Sequence, residues 1–272
     1  MSDESVLYER RGPAAWITLN RPGAHNALSA EVVAGIGEGL RRAERDTGVR
    51  AIVLAGNGPS FCAGADLKMV LAHGKGADDG HTAAGALSGF LRSIADVCAR
   101  IAAHPLPVIA AVHGNVIAGG LELTLACDLV LADENAAISD GHARYGLFPA
   151  AGGATRLPRK IGVNRAKYLL FTADTWDAEL LRECGLVNEV VPGGELSSRA
   201  QALAERIGQR SARGLAAMKR VVEEGLDLSL DEALALELAE CERYIAGGGD
   251  FEEGLLAFTQ RRVPVFGERD PA

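Results

Sequence analysis

The chain has 272 residues, 48% of them hydrophobic and 24% charged, a composition that argues against a disordered or fibrous protein and supplies enough apolar surface for a core without staples. Lys and Arg number 28 against 36 Asp and Glu, for a formal net charge of −8, which argues against a general nucleic-acid or anionic-membrane binder. Five cysteines, Cys62, Cys98, Cys127, Cys184 and Cys241, form no Cys-x-x-Cys pair and no zinc spacing, and their odd number fits a reducing cytoplasm better than secretion. The first residues are acidic where a signal peptide would be basic, and the longest apolar run, 106–112, falls far short of the ~20 residues that span a bilayer. A cytoplasmic enzyme or binding module is expected.

In chain order, Val- and Ile-rich runs of strand length lie at 15–19, 50–54, 107–112, 128–131 and 187–191, each ending at turn residues such as Asn20-Arg21-Pro22 or Gly114-Asn115. Between them lie helical patterns. Residues 29–45 carry Val32, Val33, Ile36 and Leu40 on one stripe, and 87–103 carry Leu91, Ile94, Val97 and Ile101. Strands alternating with helices predict an α/β domain with mostly parallel strands. Residues 74–80 have several glycines and no apolar period, and read as a mobile loop. Beyond about 195 the strands stop, and 196–207, 214–224, 230–245 and 251–262 read as helices. Leu230, Leu234, Leu238, Cys241 and Ile245 repeat at three or four residues, so this tail must pack on the α/β part or on another subunit. The expected division is a core of 1–195 followed by a helical region of 196–272.

No Gly-x-Ser-x-Gly elbow, His-Glu-x-x-His or Walker motif is present, and Gly56-Asn57-Gly58 lacks the third glycine of a dinucleotide fingerprint. What remains is a pair of glycine-rich turns after strands: Ser60 to Leu67, and Gly114 to Leu123, whose Gly119-Gly120 opens a short helical stretch. Such turns leave backbone N–H groups uncrowded, and a helix N-terminus adds partial positive charge. Two of them facing each other would hold one developing oxyanion between two donors. The alternative, that they are tight turns needed only for packing, stays open on the residues alone.

Asn20-Arg21-Pro22…Asn26-Ala27-Leu28, Phe61-Cys62-Ala63-Gly64-Ala65-Asp66-Leu67, the stretch 114–128, the stretch Pro149 to Pro158, and Phe251-Glu252-Glu253-Gly254…Pro264-Val265-Phe266 together resemble the enoyl-CoA hydratase/isomerase (crotonase) family, in that family's order and spacing. The resemblance implies an α/β fold, a crotonase-like spiral of repeated ββα units with a C-terminal helical region that builds a homotrimer, often paired into a hexamer. It implies a coenzyme A thioester as substrate, its oxygen between the N–H groups of Ala65 and Gly119, with Gly120 beside them. Ala63 would lie near the adenine. Lys68, Phe258 and Arg261 match positions lining the CoA region, the last two from a neighbouring subunit. Beyond the coenzyme A carried by the substrate, no organic cofactor or metal is expected.

Hydratases of the family use two glutamates beside the water that adds. The first position falls on Glu122; a solvent-facing helical glutamate is the alternative. The second falls on His142, where this chain departs from the pattern. A histidine can move protons near neutral pH, so hydration stays available, yet the change also leaves open isomerisation, hydrolysis, decarboxylation or ring opening through the same enolate, or a binding protein without catalysis. Asp140 is expected to orient His142 if the local strand puts both on one face. Arg144 and Tyr145 flank that strand as candidates to touch the acyl group. Asp66 is read as orienting the first turn, Cys62 as an inert buried thiol, and His113 as a satisfied polar residue at a strand end. His73, His81, Asp78 and Asp79 are read as solvent-facing on or beside the mobile loop.

Overall fold

The computed structural model describes residues 4–68 and 80–267. Its strands are β1 (Val6–Arg11), β2 (Ala14–Leu19), β3 (Ala51–Gly56), β4 (Ser60–Cys62), β5 (Val108–Val112), β6 (Asn115–Ile117), β7 (Leu129–Asp133), β8 (Ala137–Ser139), β9 (Trp176–Asp177) and β10 (Glu189–Val191). Its helices are α1 (Ala30–Arg45), α2 (Gly80–Ala102), α3 (Gly119–Ala126), α4 (Gly153–Ile161), α5 (Val163–Thr172), α6 (Ala178–Glu183), α7 (Leu196–Gly208), α8 (Ala212–Gly225), α9 (Leu230–Ala246) and α10 (Asp250–Gln260).

The long apolar strands β2, β3, β5 and β7 form one sheet with β1 and the short β10 at its edges, in the order β1-β2-β3-β5-β7-β10, parallel except for the β1–β2 pair. Successive side chains on a strand point to opposite faces, so each strand feeds two cores. Ile52, Leu54, Val108, Ala110 and Val130 pack with the stripes of α1 and α2, whereas Trp16, Val53, Ile109 and Leu131 pack with Ala200 and Ala204 of α7. Burial on both faces explains why these strands read as unbroken apolar runs. The Trp16 indole N–H donates to Gln201 at 2.8 Å, fastening α7 to the sheet.

The second sheet, β4-β6-β8-β9, is built of strands of two or three residues. Its first three members are parallel, and β9 runs antiparallel to β8. The chain passes from the large sheet to the small one and then into a helix three times: β3–β4–α2, β5–β6–α3 and β7–β8–α4. This is the expected spiral of ββα units.

Several expectations are corrected. The small sheet, β1, and helices α4 to α6 were not anticipated. The local strand expected to carry Asp140 and His142 is instead a left-handed Gly141 followed by a 3-10 turn at His142–Tyr145. The glycine-rich loop at 74–80, with His73, Asp78 and Asp79, lies outside the described residues except for Gly80, which opens α2; so does the side chain of His81.

After α7, the hairpin of α8 and α9 is tied to the core by Lys219, whose ammonium meets Asp128 at 2.7 Å. Buried Glu240 pairs with Arg220 and Arg243. Met218 and Val222 on α8, Leu226 just after it, Leu230, Leu234 and Leu238 on α9, and Leu255, Leu256 and Phe258 on α10 are exposed.

Candidate active site

Parallel strands end at one edge, and ligand sites in open α/β sheets gather outside the carboxyl ends of strands. Here β4, β6 and β8 deliver their following residues side by side: Ala63-Gly64-Ala65 after β4, Ala118-Gly119 after β6, and Asp140-Gly141-His142 after β8. Three segments far apart in the chain are thereby brought together.

The first two turns touch. A methyl on Gly64 would sit 3.0 Å from the Ala118 Cβ and 3.4 Å from the Gly119 nitrogen. One on Gly119 would sit 3.6 Å from the Ala65 nitrogen. The two amides are therefore neighbours, and glycine keeps the gap open. Leu28 bridges to the first turn, giving its N–H to Gly64 O and accepting from Asp66 N, both at 2.8 Å. That pairing passes over Ala65. Neither the Ala65 nor the Gly119 N–H donates to any group among the described residues, and Gly119, as the first residue of α3, has no intrahelical acceptor. Ala118 takes φ +51° and ψ −113°, a costly conformation for a residue with a side chain, and is held by its own N–H on Ser139 O at 3.0 Å. Gly120 cannot carry a side chain, because its methyl would lie 2.2 Å from the Cys62 carbonyl oxygen.

A buried asparagine knits the support. Asn26 donates to Asn57 O and Ser60 O and accepts from Arg21 N. The Arg21 guanidinium reaches the Asp66 carboxylate at 3.1 Å. The first motif thus clamps the first turn, and Asp66 is engaged in that clamp. The Ala63 N–H donates to His25 O at 3.0 Å.

Glu122 lies in the first turn of α3 and is buried. Its Oε1 accepts from the N–H groups of Ala151 at 2.7 Å and Gly153 at 3.0 Å, at the start of α4. No described residue hydrogen-bonds Oε2. The Ala151 and Gly153 amides were missed by reading residues alone; the available signal was a second Gly-Gly pair opening a helix. Gly153 is also a spacer: a methyl there would lie 3.3 Å from Glu122 Oε1 and 3.2 Å from Asp140 Oδ2.

His142 meets Asp140 through Nδ1–Oδ2 at 3.0 Å, while its backbone N–H reaches Oδ1 at 3.3 Å. The pairing expected from strand alternation is made instead by the left-handed Gly141 (φ +70°) folding the chain back. Asp140 is nearly inaccessible at 1%, and the His142 side chain retains 13% exposure. Burial, the largest single influence on His142, disfavours its imidazolium; the Asp140 hydrogen bond and charge, together with the Glu122 charge, outweigh it and hold His142 above the ordinary value.

Other candidates lie elsewhere. Lys68 is exposed at the end of the first turn, Phe258 is exposed on α10, and Arg261 caps that helix in a left-handed conformation; no hydrogen bond or ion pair among the described residues joins them to the two turns. Tyr145 is exposed, and Arg144 donates to Ala173 O at 2.9 Å. The His113 Nε2–H donates to Gly58 O at 2.9 Å, as expected for a satisfied polar residue at a strand end. Burial pushes the Cys62 thiol up to about 12, which suits an inert residue. An open groove of about 360 Å³, lined by Leu87, Leu91, Arg92, Ala95 and Ala150, adjoins the segment that holds Glu122. A larger one of about 560 Å³ lies between the end of α2 and the α8–α9 hairpin and contains none of the site residues. Among the described residues, no three His, Cys, Asp or Glu side chains group to hold a metal ion, and no helix is long and apolar enough to cross a membrane.

Comparison with known proteins adds the family. The model of the enoyl-CoA hydratase/isomerase family matches residues 9–269. A probable enoyl-CoA hydratase of Rhodobacter capsulatus is 36% identical over 267 residues, covering 98% of this chain and 99% of that one. A short-chain-enoyl-CoA hydratase of Clostridium acetobutylicum is 32% identical over 263 residues, covering 96% and 97%. The crystal structure of an enoyl-CoA hydratase from Polaromonas superposes with a TM-score of 0.90 at 30% identity, covering 96% of this chain and 99% of that one.

Proposed function

Because the chain belongs to the enoyl-CoA hydratase/isomerase family, we propose that it adds water reversibly to a 2-enoyl-CoA thioester, giving the 3-hydroxyacyl-CoA. The observation that carries this reading is the meeting of two undonated N–H groups, Ala65 and Gly119, beside a buried glutamate with one oxygen spare. The thioester oxygen accepts from both amides. Conjugation then makes Cβ electrophilic, and the negative charge that develops on attack falls on an oxygen already facing two donors and a helix N-terminus. Elsewhere, losing one such donor costs about 3–4 kcal/mol of barrier.

Glu122 Oε2 orients the water and takes one of its protons as the oxygen bonds to Cβ. His142 delivers a proton to Cα, the enolate collapses to the thioester, and the pair resets when Glu122 loses the proton that His142 needs. Overall, OH adds to Cβ and H to Cα. Ala63 and Lys68 are assigned to the coenzyme A side, and Gly120 lets α3 approach the first turn. The groove beside Ala150 is assigned to the acyl chain. Asp66 acts through the turn it anchors. The exposed leucines of α9 and the exposed Phe258 and Arg261 support a homotrimer in which the latter two reach a neighbour's coenzyme A. Four buried free cysteines and one exposed one suit a cytoplasmic setting.

One observation favours a second reading. An imidazole paired to a carboxylate replaces the second glutamate, and this suits another reaction of the same enolate, such as isomerisation or hydrolysis. The test is incubation with crotonyl-CoA, following loss of the conjugated thioester absorbance, with product analysis over a panel of enoyl-CoA chain lengths. Hydration of at least one member is expected. Turnover of acyl-CoA substrates without any 3-hydroxy product would transfer the assignment to the second reading.

A further inference from the structure

Asp140 is a buried carboxylate with an unusual commitment. Burying such a group is costly unless it is hydrogen-bonded and paired. Among the described residues, its only partners are the backbone N–H and the Nδ1 of His142. Both contacts come from one residue two positions on, which requires Gly141 at φ +70°; a methyl there would also lie 2.9 Å from Ile117 Cγ2. Glycine is thus demanded twice to build the chelate. At 1% exposure the Asp140 side chain is out of a substrate's reach, whereas His142 is not.

We propose that Asp140 is a positioning residue that fixes the ring of His142, holding the proton on Nδ1 and leaving Nε2 as the atom offered to the substrate. The consequence for catalysis rests on the hydratase reading; the tautomer rests on geometry alone. A carboxylate accepts only, so the nitrogen facing it must carry the hydrogen. The other ring nitrogen lies across the ring and faces away from Asp140. With the ring fixed, the proton for Cα leaves from one atom in one orientation, and a misplacement of about 1 Å at such a step can cost about 100-fold. Asp140 moves no proton of its own.

The experiment reads the ring directly. Side-chain ¹⁵N NMR of the whole protein, with the histidine neutral, should show His142 protonated on Nδ1; finding the proton on Nε2 in the unaltered protein overturns the proposal without any variant. In Asp140→Ala that preference should vanish. With the enoyl-CoA that the protein turns over best, kcat should fall about tenfold to 100-fold with little change in KM. His142→Gln alone and His142→Gln combined with Asp140→Ala should be equally slow, because Asp140 works only through the ring. An extra loss in the double variant, or an unchanged tautomer in Asp140→Ala, shows a loop clamp instead and refutes the assignment. If no acyl-CoA is hydrated, the NMR arm still decides the proposal, and it is the hydratase reading that fails.

Discussion

Replacing Glu122 by glutamine separates what this carboxylate does from what it holds. Oε1 accepts from two backbone N–H groups, Ala151 at 2.7 Å and Gly153 at 3.0 Å. A glutamine fits only with its carbonyl oxygen in that place, since an NH₂ there would face two fixed donors and leave bonds unmade at about 1–3 kcal/mol each. The amide nitrogen is therefore driven to the Oε2 side, where the water must lose a proton, and it has no basic lone pair to offer. Loss of a general base costs at least about 100-fold, or about 2.7 kcal/mol of barrier. The fold should barely notice. Two charge-assisted bonds become neutral ones, a loss of about 1 kcal/mol each, partly offset because a buried charge disappears. At roughly 2–4 °C per kcal/mol, Tm should move by about 5 °C or less. The assay pairs crotonyl-CoA turnover with thermal denaturation followed by circular dichroism. Expected are a kcat at least about 100-fold lower, a KM within a small factor and a near-parental Tm. A kcat within about tenfold of the parent, at that same Tm, would reduce Glu122 to a clamp on residues 151–153 and refute the chemistry built on it.

Three further outcomes follow from the same geometry. His142→Glu, which restores the residue type of the family's hydratases, should lower both activity and Tm, because the new carboxylate would face buried Asp140 at the 3.0 Å contact now made by the imidazole; a rise in crotonyl-CoA hydration would contradict this. The folded-state pKa of His142 lies above the ordinary 6.5, so the stability this residue adds is complete below about pH 6.5 and is lost as pH rises through the raised value. Denaturant titrations of parent and His142→Gln should accordingly converge on going alkaline, and the parent's hydration rate should fall over the same window as the acid deprotonates; a rate rising through that window would make His142 a base instead. Gly120→Ala should leave little folded protein, since its methyl would lie 2.2 Å from the Cys62 carbonyl oxygen, whereas Gly85→Ala on α2, whose methyl would meet nothing within 4 Å among the described residues, should raise stability by about 0.5–1 kcal/mol; soluble yield and thermal melts measure both.

Strands β2, β3, β5 and β7 of the large sheet were legible because they are buried on both faces, and five-residue apolar runs such as Ala51-Ile52-Val53-Leu54-Ala55 have few other uses, whereas β1, half exposed and ending in Glu9-Arg10-Arg11, was not. The small sheet was not. Ser60–Cys62, Asn115–Ile117 and Ala137–Ser139 are too short to show a period of two, and they lie among turn residues that read as loops. Helix α4 hid behind Pro158 and its opening Gly153. Helix α5 buries only Ala166 and Leu169 while exposing Val163, Tyr168 and Phe171, so it presents no clean apolar stripe. In α1, by contrast, Ser29 caps the N-terminus and Val32, Val33, Ile36 and Leu40 are all buried, so pattern and packing agree.

The site divides in the same way. Glycines at 64, 119 and 120 announced themselves because close backbone approach leaves no room for a side chain, and that demand is written in residue type. The Asp140–His142 pair was expected for the wrong reason: residues two apart share a face of a strand, but here one left-handed glycine turns the chain back, and the contact owes nothing to alternation. The strain at Ala118 was invisible, since an alanine does not advertise a positive φ; it follows from where Ser139 O and α3 force the chain to run. What a residue list records well is where bulk is forbidden. What it records poorly is which donor a carboxylate will meet, and the chemistry of Glu122 and His142 depends on that. Both side chains get their orientation from the segment after β8, through the Ala151 and Gly153 amides in one case and Asp140 in the other. A change that shifts the backbone of 141–153 should therefore disturb the two proton carriers together, whereas removing only the Asp140 side chain acts on His142 alone, and neither reaches the Ala65 and Gly119 amides.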